Sequence, residues 1–439
     1  MEVIAFIIGV VLMVVGLAVS IALHEIGHLV PAKKFGVRVG QYMVGFGPTL
    51  WSKRKGETEY GVKAIPLGGY ISMAGMYPPS PNSARAGRAG GGFFATMVQD
   101  ARAANDETLV GDDDQRVFYK LPVYKRVIIM LGGPFMNLVL AIVLFTILLS
   151  GIGVQTATTT IGSVSECIPA DSTRTECVDS DPAAPAAAAG LQAGDEIIAI
   201  NGAEISTFTE VSTAVRDSAD EPIEVVVLRD DAEYTIVLTP AAVERQVVDA
   251  DGLPVVDANG EPETSVVGIV GISPVVDFQR QPVWSGAQMA ATNVGAVAGI
   301  IWQLPVRIWE TGVDTVTGQE RDPDGPLSVV GVSVIAGEVA AAEAPILNRV
   351  SALLSLLASL NIALFVFNLV PLLPLDGGHI AVALWDGVKR MWAKIFRLPP
   401  PKPVDATKLV PVTFVVVVAL IAMGAVLILS DLINPMSLF

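Results

Sequence analysis

The stretch IALHEIGHLV, Ile21 to Val30, closes an apolar run that begins at Val3 and is long enough to cross a bilayer. Ionisable groups inside a spanning helix are costly and mark function by default, so His24, Glu25 and His28 need a reason. The two histidines are four residues apart, which on a helix sets both imidazoles on one face, with Glu25 projecting to the side. The pattern is H-E-x-x-H, whose usual reading is two zinc ligands and a carboxylate that takes a proton from the attacking water. The bland alternative is a helix that ends early, with His24 to His28 among the headgroups. Lys33 and Lys34 follow closely, so the motif lies near one membrane face under either reading.

The whole chain has the composition of a membrane protein. Its 439 residues are 52% hydrophobic, and the mean hydropathy of +0.56 exceeds what a soluble domain needs. A net charge of −16 argues against a nucleic-acid partner, because a phosphate backbone would be repelled. Four apolar runs read as spans: 1–30, 124–150, 351–385 and 409–432. The first lacks the basic leader and small-residue cleavage site of a signal peptide.

Lysine and arginine set the expected orientation. Lys33, Lys34, Arg38, Lys53, Arg54, Lys55, Lys125 and Arg126 put 31–123 in the cytoplasm, and Lys389, Arg390, Lys394 and Arg397 put 386–408 there too. Between the second and third spans the chain has no lysine, and roughly thirty acidic residues against about eight arginines, so it should lie outside. The only cysteines, Cys167 and Cys177, fall in that outer part. An oxidising compartment favours a short-loop disulfide; two free thiols would suit a cytoplasmic location.

A three-ligand zinc hydrolase needs one more His, Asp or Glu. The third and last histidine is His379, in FNLVPLLPLDGGHI, beside Asp376. Asp376 is the preferred third ligand and His379 its competitor. Pro371, Pro374 and the pair Gly377-Gly378 break the helix, and non-helical backbone at that depth must be buried in protein or line a wet cavity.

At this point the chain resembles the site-2 protease family of intramembrane zinc metalloproteases, and most nearly its bacterial regulator-of-sigma-E type. His24-Glu25-Ile26-Gly27-His28 is similar to the family's first motif. Asn368, Pro371, Pro374, Asp376 and Gly377 are similar to its second, of the form N-x-x-P-x-x-P-x-D-G. The resemblance implies one Zn2+ per chain held by His24, His28 and Asp376, with Glu25 as general base. It implies Asn368, Pro371 and Pro374 shaping the substrate cleft.

VGFGPTLWSKRKGETEYGVKAIPLGGYISMAGM, Val44 to Met76, has Gly-rich turns and alternation, and reads as a β-hairpin or small sheet over about 41–76. By resemblance it dips into the membrane from the cytoplasmic side, with Gly45 and Gly47 among the substrate contacts; its exposed edge could hold a substrate segment extended. A plain cytoplasmic hairpin is the other reading. LGGPFMN, Leu131 to Asn137, opens the second span, and Asn137 is expected to pack helices first and to touch substrate second.

In the outer segment, AAAAGLQAGDEIIAINGAEI, Ala186 to Ile205, reads as a helix end, a Gly-rich turn, a strand and an Asn201-Gly202 hairpin turn. It resembles the core of a PDZ domain, placed at 155–247, which would bind peptide ends or act as a size filter. Relatives often carry two such domains; this sequence shows one. The acidic stretch after it and the Trp-containing PVWSGAQMAATNVGAVAGIIWQLPVRIWE make 248–350 a linker with an interfacial helix. A fifth span there is the alternative. GPLSVVG, Gly325 to Gly331, has no evident task. PPSPNSARAGRAGGG, 78–92, and GDDDQR, 111–116, look disordered.

The sequence thus predicts a polytopic α-helical membrane protein of about four spans. It adds a membrane-associated cytoplasmic β-structure and an extracytoplasmic α+β PDZ domain, all in a bacterial cell membrane. The expected activity is cleavage of single-span membrane proteins, by resemblance anti-sigma factors. The rivals are a non-catalytic PDZ-bearing scaffold with a structural metal, and a metal transporter.

Overall fold

The computed structural model describes residues 2–78, 97–100, 105, 107–109, 114–168, 177–178, 181–246, 264–319, 321–322, 325–399, 401, 403–404 and 406–435. Most of 78–92, 111–113 and the acidic stretch after 246 therefore lie outside the described residues, whereas 114–116, expected as disordered, are held by ion pairs of Asp114 with Arg38 and of Arg116 with Glu57. The chain forms two compact units, one of 1–152 with 282–439 and one of 153–281.

The helical unit starts with α1, Glu2–Lys34, an apolar helix that ends on its basic Lys33 and Lys34. Two long strands follow, β1 (Val39–Lys55) and β2 (Thr58–Met73). Both are bent, so residues 41–44 of β1 pair with 59–62 and also with 69–72 of β2, while 49–55 pair with 58–63. Beneath the sheet Leu29, Ala32, Val37, Val39, Met73 and Phe118 form a small core with Ile129 and Met130 of α2, Val123–Thr146. A π-helical turn, Ile147–Ile152, ends α2.

The β-rich unit contains β3 (Val154–Val164), the one-turn α3 (Pro185–Ala188), β4 (Glu196–Ile200), β5 (Ala203–Glu204) and α4 (Phe208–Asp217). It continues through β6 (Ile223–Arg229), β7 (Ala232–Leu238), β8 (Ala241–Gln246), β9 (Thr264–Ile269) and β10 (Ile272–Gln279). The main sheet runs β10-β3-β4-β6-β7 with β5 on β4, and β8 pairs with β9. Alternation along β6 buries Val225 and Val227, and a register shift in β4 between Ile197 and Ala199 brings Ile197 and Ile200 to the same core, against Val211 and Val215 of α4. A capping box between Thr207 and Glu210 starts α4. Cys167 and Cys177 are joined as a disulfide, with Cα atoms 5.9 Å apart. The unit reaches Gln281 rather than 247, because β10, which completes the sheet beside β3, comes from sequence read as linker.

The chain then re-enters the helical unit. The segment expected as one interfacial helix is two, α5 (Ser285–Ile300) and α6 (Leu304–Thr317), bent by 72°. Ala290 of α5 packs with Ala141, Leu144 and Phe145 of α2 and with Ala358 and Ile362 of α8, Ile346–Asn368. Between these helices and α8 lies α7, Val329–Ala341. The third apolar run stops at Asn368, short of the expected 385; after the proline break Asp376 begins a separate helix, α9 (Asp376–Ile395). The last helix is α10, Val410–Ile433. Among the described residues, four helices are long and apolar enough to cross a membrane, or five if the bent pair counts as one span.

Polar clasps tie the helices together. Asn361 Nδ2 donates to Ser20 Oγ at 2.9 Å, and both residues are fully buried. Asp431, near the end of α10, pairs with buried Arg321 and accepts from the backbone N–H groups of Ser328 (2.8 Å) and Gly331 (3.1 Å). A Cβ on Gly331 would fall 2.5 Å from Asp431 Oδ2. GPLSVVG is thus the N-terminus of α7, capped by Ser328 and by a carboxylate from another helix.

Candidate metal centre

Helical spacing puts His24 and His28 on one face of α1, and the break after α8 brings the first residue of α9 to meet them. His24 Nε2 lies 3.2 Å from Asp376 Oδ2, His28 Nε2 lies 3.3 Å from it, and the two Nε2 atoms are 3.2 Å apart. Three donors at the corners of a tetrahedron around zinc, each about 2.0–2.1 Å from the ion, sit roughly 3.3–3.4 Å from one another. The observed triangle fits that spacing. It is the one convergence of three possible ligand residues among the described residues.

The chemistry of the donors fits as well. Nδ1 of His28 is 2.7 Å from the carbonyl of Ile129, so Nδ1–H donates there and Nε2 carries the lone pair. Asn137, 1% exposed, has its amide 3.1 Å from Nδ1 of His24. Turned so that its oxygen accepts from Nδ1–H, the amide leaves the second Nε2 lone pair free. Asp376 Oδ2 is buried and receives no hydrogen bond. Two lone pairs and a carboxylate oxygen facing one another repel unless a cation lies between them.

Glycines let the surrounding backbone approach. A Cβ on Gly133 would lie 2.2 Å from His28 Nε2 and 2.7 Å from His24 Nε2. Gly27 and Gly132 meet where α1 crosses α2: a Cβ on either would fall about 2 Å from the other's carbonyl oxygen. Glu25 is buried, and a Cβ on Gly69 of β2 would lie 2.9 Å from its Cγ. The sheet is tied to α1 by Tyr42, whose hydroxyl donates to the carbonyl of Ala22 at 2.8 Å. Burial pushes the Tyr42 phenol up to about 12, so it remains a donor at neutral pH.

A family model, peptidase family M50, matches residues 12–396. The chain belongs to peptidase family M50. Its relatives include the zinc metalloprotease Rip1 of Mycobacterium tuberculosis, 33% identical over 99% of both chains. Rip1 of Mycolicibacterium smegmatis is 34% identical over 98% of this chain and 99% of its own. The metalloprotease MmpA of Caulobacter vibrioides is 28% identical over 88% of each.

In this M50 peptidase the other candidate residues lie at varied places. Asn368 Nδ2 donates to Leu364 O at 2.9 Å, turned back on its own helix. Pro371 and Pro374 are exposed in the break. Gly45 and Gly47, at φ 94° and 83°, shape the bend of β1, where their nearest neighbours are Lys63 and Ile65. The glycine beside Glu25 is Gly69 instead. His379 lies outside the triangle and stacks on Tyr77, with ring centroids 6.3 Å apart. Sequence reading missed Gly69; in LGGPFMN it takes Gly132 and Gly133 as places of close backbone approach without naming their partners, Gly27 and the two imidazoles. The GG pairs at 68–69 and 132–133 were the available signal.

Proposed function

We propose that this M50 peptidase holds one zinc ion with His24, His28 and Asp376, and hydrolyses a peptide bond in the transmembrane segment of a single-span membrane protein. The observation that carries the reading is the three-donor triangle with both Nδ1 atoms engaged elsewhere. Three protein ligands leave the open position that a hydrolytic site requires. A bound zinc supplies Lewis acidity to the attacking water and to the scissile carbonyl. Glu25 takes a proton from that water and passes it to the leaving amine. Asn137 and the Ile129 carbonyl hold the two imidazoles in the ligating tautomer. The β2 edge at Gly69, beside Glu25, is suited to keep a substrate segment extended, because a helical peptide hides its bonds.

The further reading is regulated intramembrane proteolysis. The substrate is of the anti-sigma-factor class, already cut on its outer side, and the metal centre lies toward the cytoplasmic face. The lysine and arginine distribution supports this orientation. The β-rich unit is read as the PDZ domain. It has a groove of about 620 Å³ beside α4, lined by Phe208, Val211, Val215, Gly268 and Ile272, which suits a peptide end.

The test uses the full chain in detergent with a model single-span substrate, comparing wild type with Glu25→Gln. Retention of about one zinc per chain with loss of cleavage is the expected result. Continued cleavage by the variant sinks the mechanism. Metal bound by both proteins, with no cleavage of several substrates by either, favours the scaffold or transporter readings.

A further inference from the structure

The helix that carries Asp376 has a second buried carboxylate. Along α9, Asp376, His379, Ala383, Asp386, Arg390 and Ala393 follow a 3-4-3-4-3 spacing, so they share one stripe of the helix. Asp386 is fully buried, and Arg126, in the first turn of α2, is 5% exposed. Arg126 Nη2 donates to Asp386 Oδ2 at 2.6 Å, and Arg390 Nη2 approaches the same oxygen at 3.0 Å. One residue further on, a Cβ on Gly387 would touch Val123 at 3.3 Å, so the helices run close here.

Besides this pair, α9 rests on α2 through Ile380, which packs on the small core that includes Ile129 and Met130, and through small residues. The apolar members of the stripe are alanines, and the first turn has no side-chain cap. The proline break before α9 interrupts the helical hydrogen bonding that would otherwise tie its register to α8. A slip of one residue along α2 would turn Asp376 by about 100° and move it by about 1.5 Å, enough to leave the triangle. α2 meanwhile carries Ile129, Gly133 and Asn137, which contact the two histidines.

We infer that the Arg126–Asp386 ion pair is a positioning device: it sets the register of α9 on α2 and thereby places Asp376 at the metal. The inference rests on the zinc reading above. Buried ion pairs often add little net stability over apolar replacements, while a buried polar group can specify register. The two contributions can therefore be separated experimentally.

Zinc affinity is measured on the full chain in detergent by competition with a chromophoric chelator, alongside thermal unfolding. The variants are Arg126→Leu/Asp386→Leu, Asp386→Asn, Arg126→Lys and the control Asp376→Asn. The double leucine variant is expected to unfold near the wild-type temperature yet bind zinc at least ~10-fold more weakly, the scale of outer-shell losses. Asp386→Asn, which hardly changes volume, is expected to lose a similar factor if the leucine pair does not fold. Arg126→Lys keeps the cation and is expected to stay within about threefold of wild type. Wild-type zinc affinity in the double leucine variant or in Asp386→Asn overturns the inference, because a pair that served stability alone would leave the metal untouched. If instead Asp376→Asn binds zinc as wild type does, the metal reading itself fails, whatever the ion-pair variants do.

Discussion

Replacing Gly132 by alanine tests whether the closeness of α1 and α2 assembles the metal centre. The new Cβ would sit 2.0 Å from the Gly27 carbonyl oxygen, and real Cβ contacts essentially never fall below 3.0 Å. Both partners are helix backbone, so neither can swing away, and the helices must part by about 1 Å. That shift would lengthen the Ile129 carbonyl contact to His28 from 2.7 Å, and the Asn137 contact to His24 from 3.1 Å, to roughly 3.7 and 4.1 Å. Neither remains a hydrogen bond. Loss of an outer-shell partner typically weakens a metal site by ~10–100-fold, while overpacking costs ~1–3 kcal/mol. Gly132→Ala should therefore stay folded and bind zinc at least ~10-fold more weakly, with cleavage reduced. The assay is chelator competition with thermal unfolding in the same detergent. Gly295→Ala serves as control, since a Cβ there meets nothing within 4 Å. Zinc affinity in Gly132→Ala within about twofold of wild type would refute the reasoning that helix proximity holds the ligands.

Other perturbations address separate parts of the molecule. Asn137→Leu removes the amide at His24 and is expected to weaken zinc by ~10–100-fold in the same competition assay, whereas Asn137→Asp, which keeps an acceptor, retains most of the affinity. Asp431→Ala strands buried Arg321 and two backbone N–H groups. A loss of ~3–5 kcal/mol is expected in detergent unfolding, recovered only in part by Arg321→Leu/Asp431→Leu, which removes the unpaired charge but not the loss at the two N–H groups. In the β-rich unit, the hydrogen bonds from Arg229 hold the Asp195 carboxyl below the usual aspartate range. A depressed carboxylate stabilises the fold above the unfolded value near ~4 and loses that contribution as pH falls through the folded value. Protection factors of the β4 and β6 amides in the full chain, corrected for the intrinsic exchange rate at each pH, should therefore fall as pH drops below ~4, with a flatter profile in Asp195→Asn.

The two metal motifs were legible because each is a local pattern. Helical spacing alone puts His24 and His28 together, and prolines with glycines announce the break before Asp376. Asp376 over His379 is a matter of tertiary placement: His379 is one turn further along α9, where Tyr77 covers it. The ion pairs were hidden in plain view. Arg126 entered the reading as a charge that sets orientation, and its partner Asp386 is 260 positions away. Asp431 and Arg321 are separated by 110. No local periodicity reports such pairings, and the task of GPLSVVG was invisible for the same reason. The β-rich unit was legible where strands alternate, from β4 to β7, and misjudged at its far edge. There an acidic, turn-rich stretch separates β8 from β9 and disguises β10 as linker.

The order of the metal ligands along the chain has a consequence for biogenesis. His24 and His28 leave the ribosome well before Asp376, the proposed third donor, with the β-rich unit and most of the helices between them. A nascent chain therefore carries the H-E-x-x-H helix without a complete donor set until residue 376 has been made. A product that stops before residue 376 lacks the residue that closes the triangle. On the proposed ligand set, the hydrolytic centre is complete only once α9 has joined α1, so a copy that lacks α9 cannot cut its neighbours.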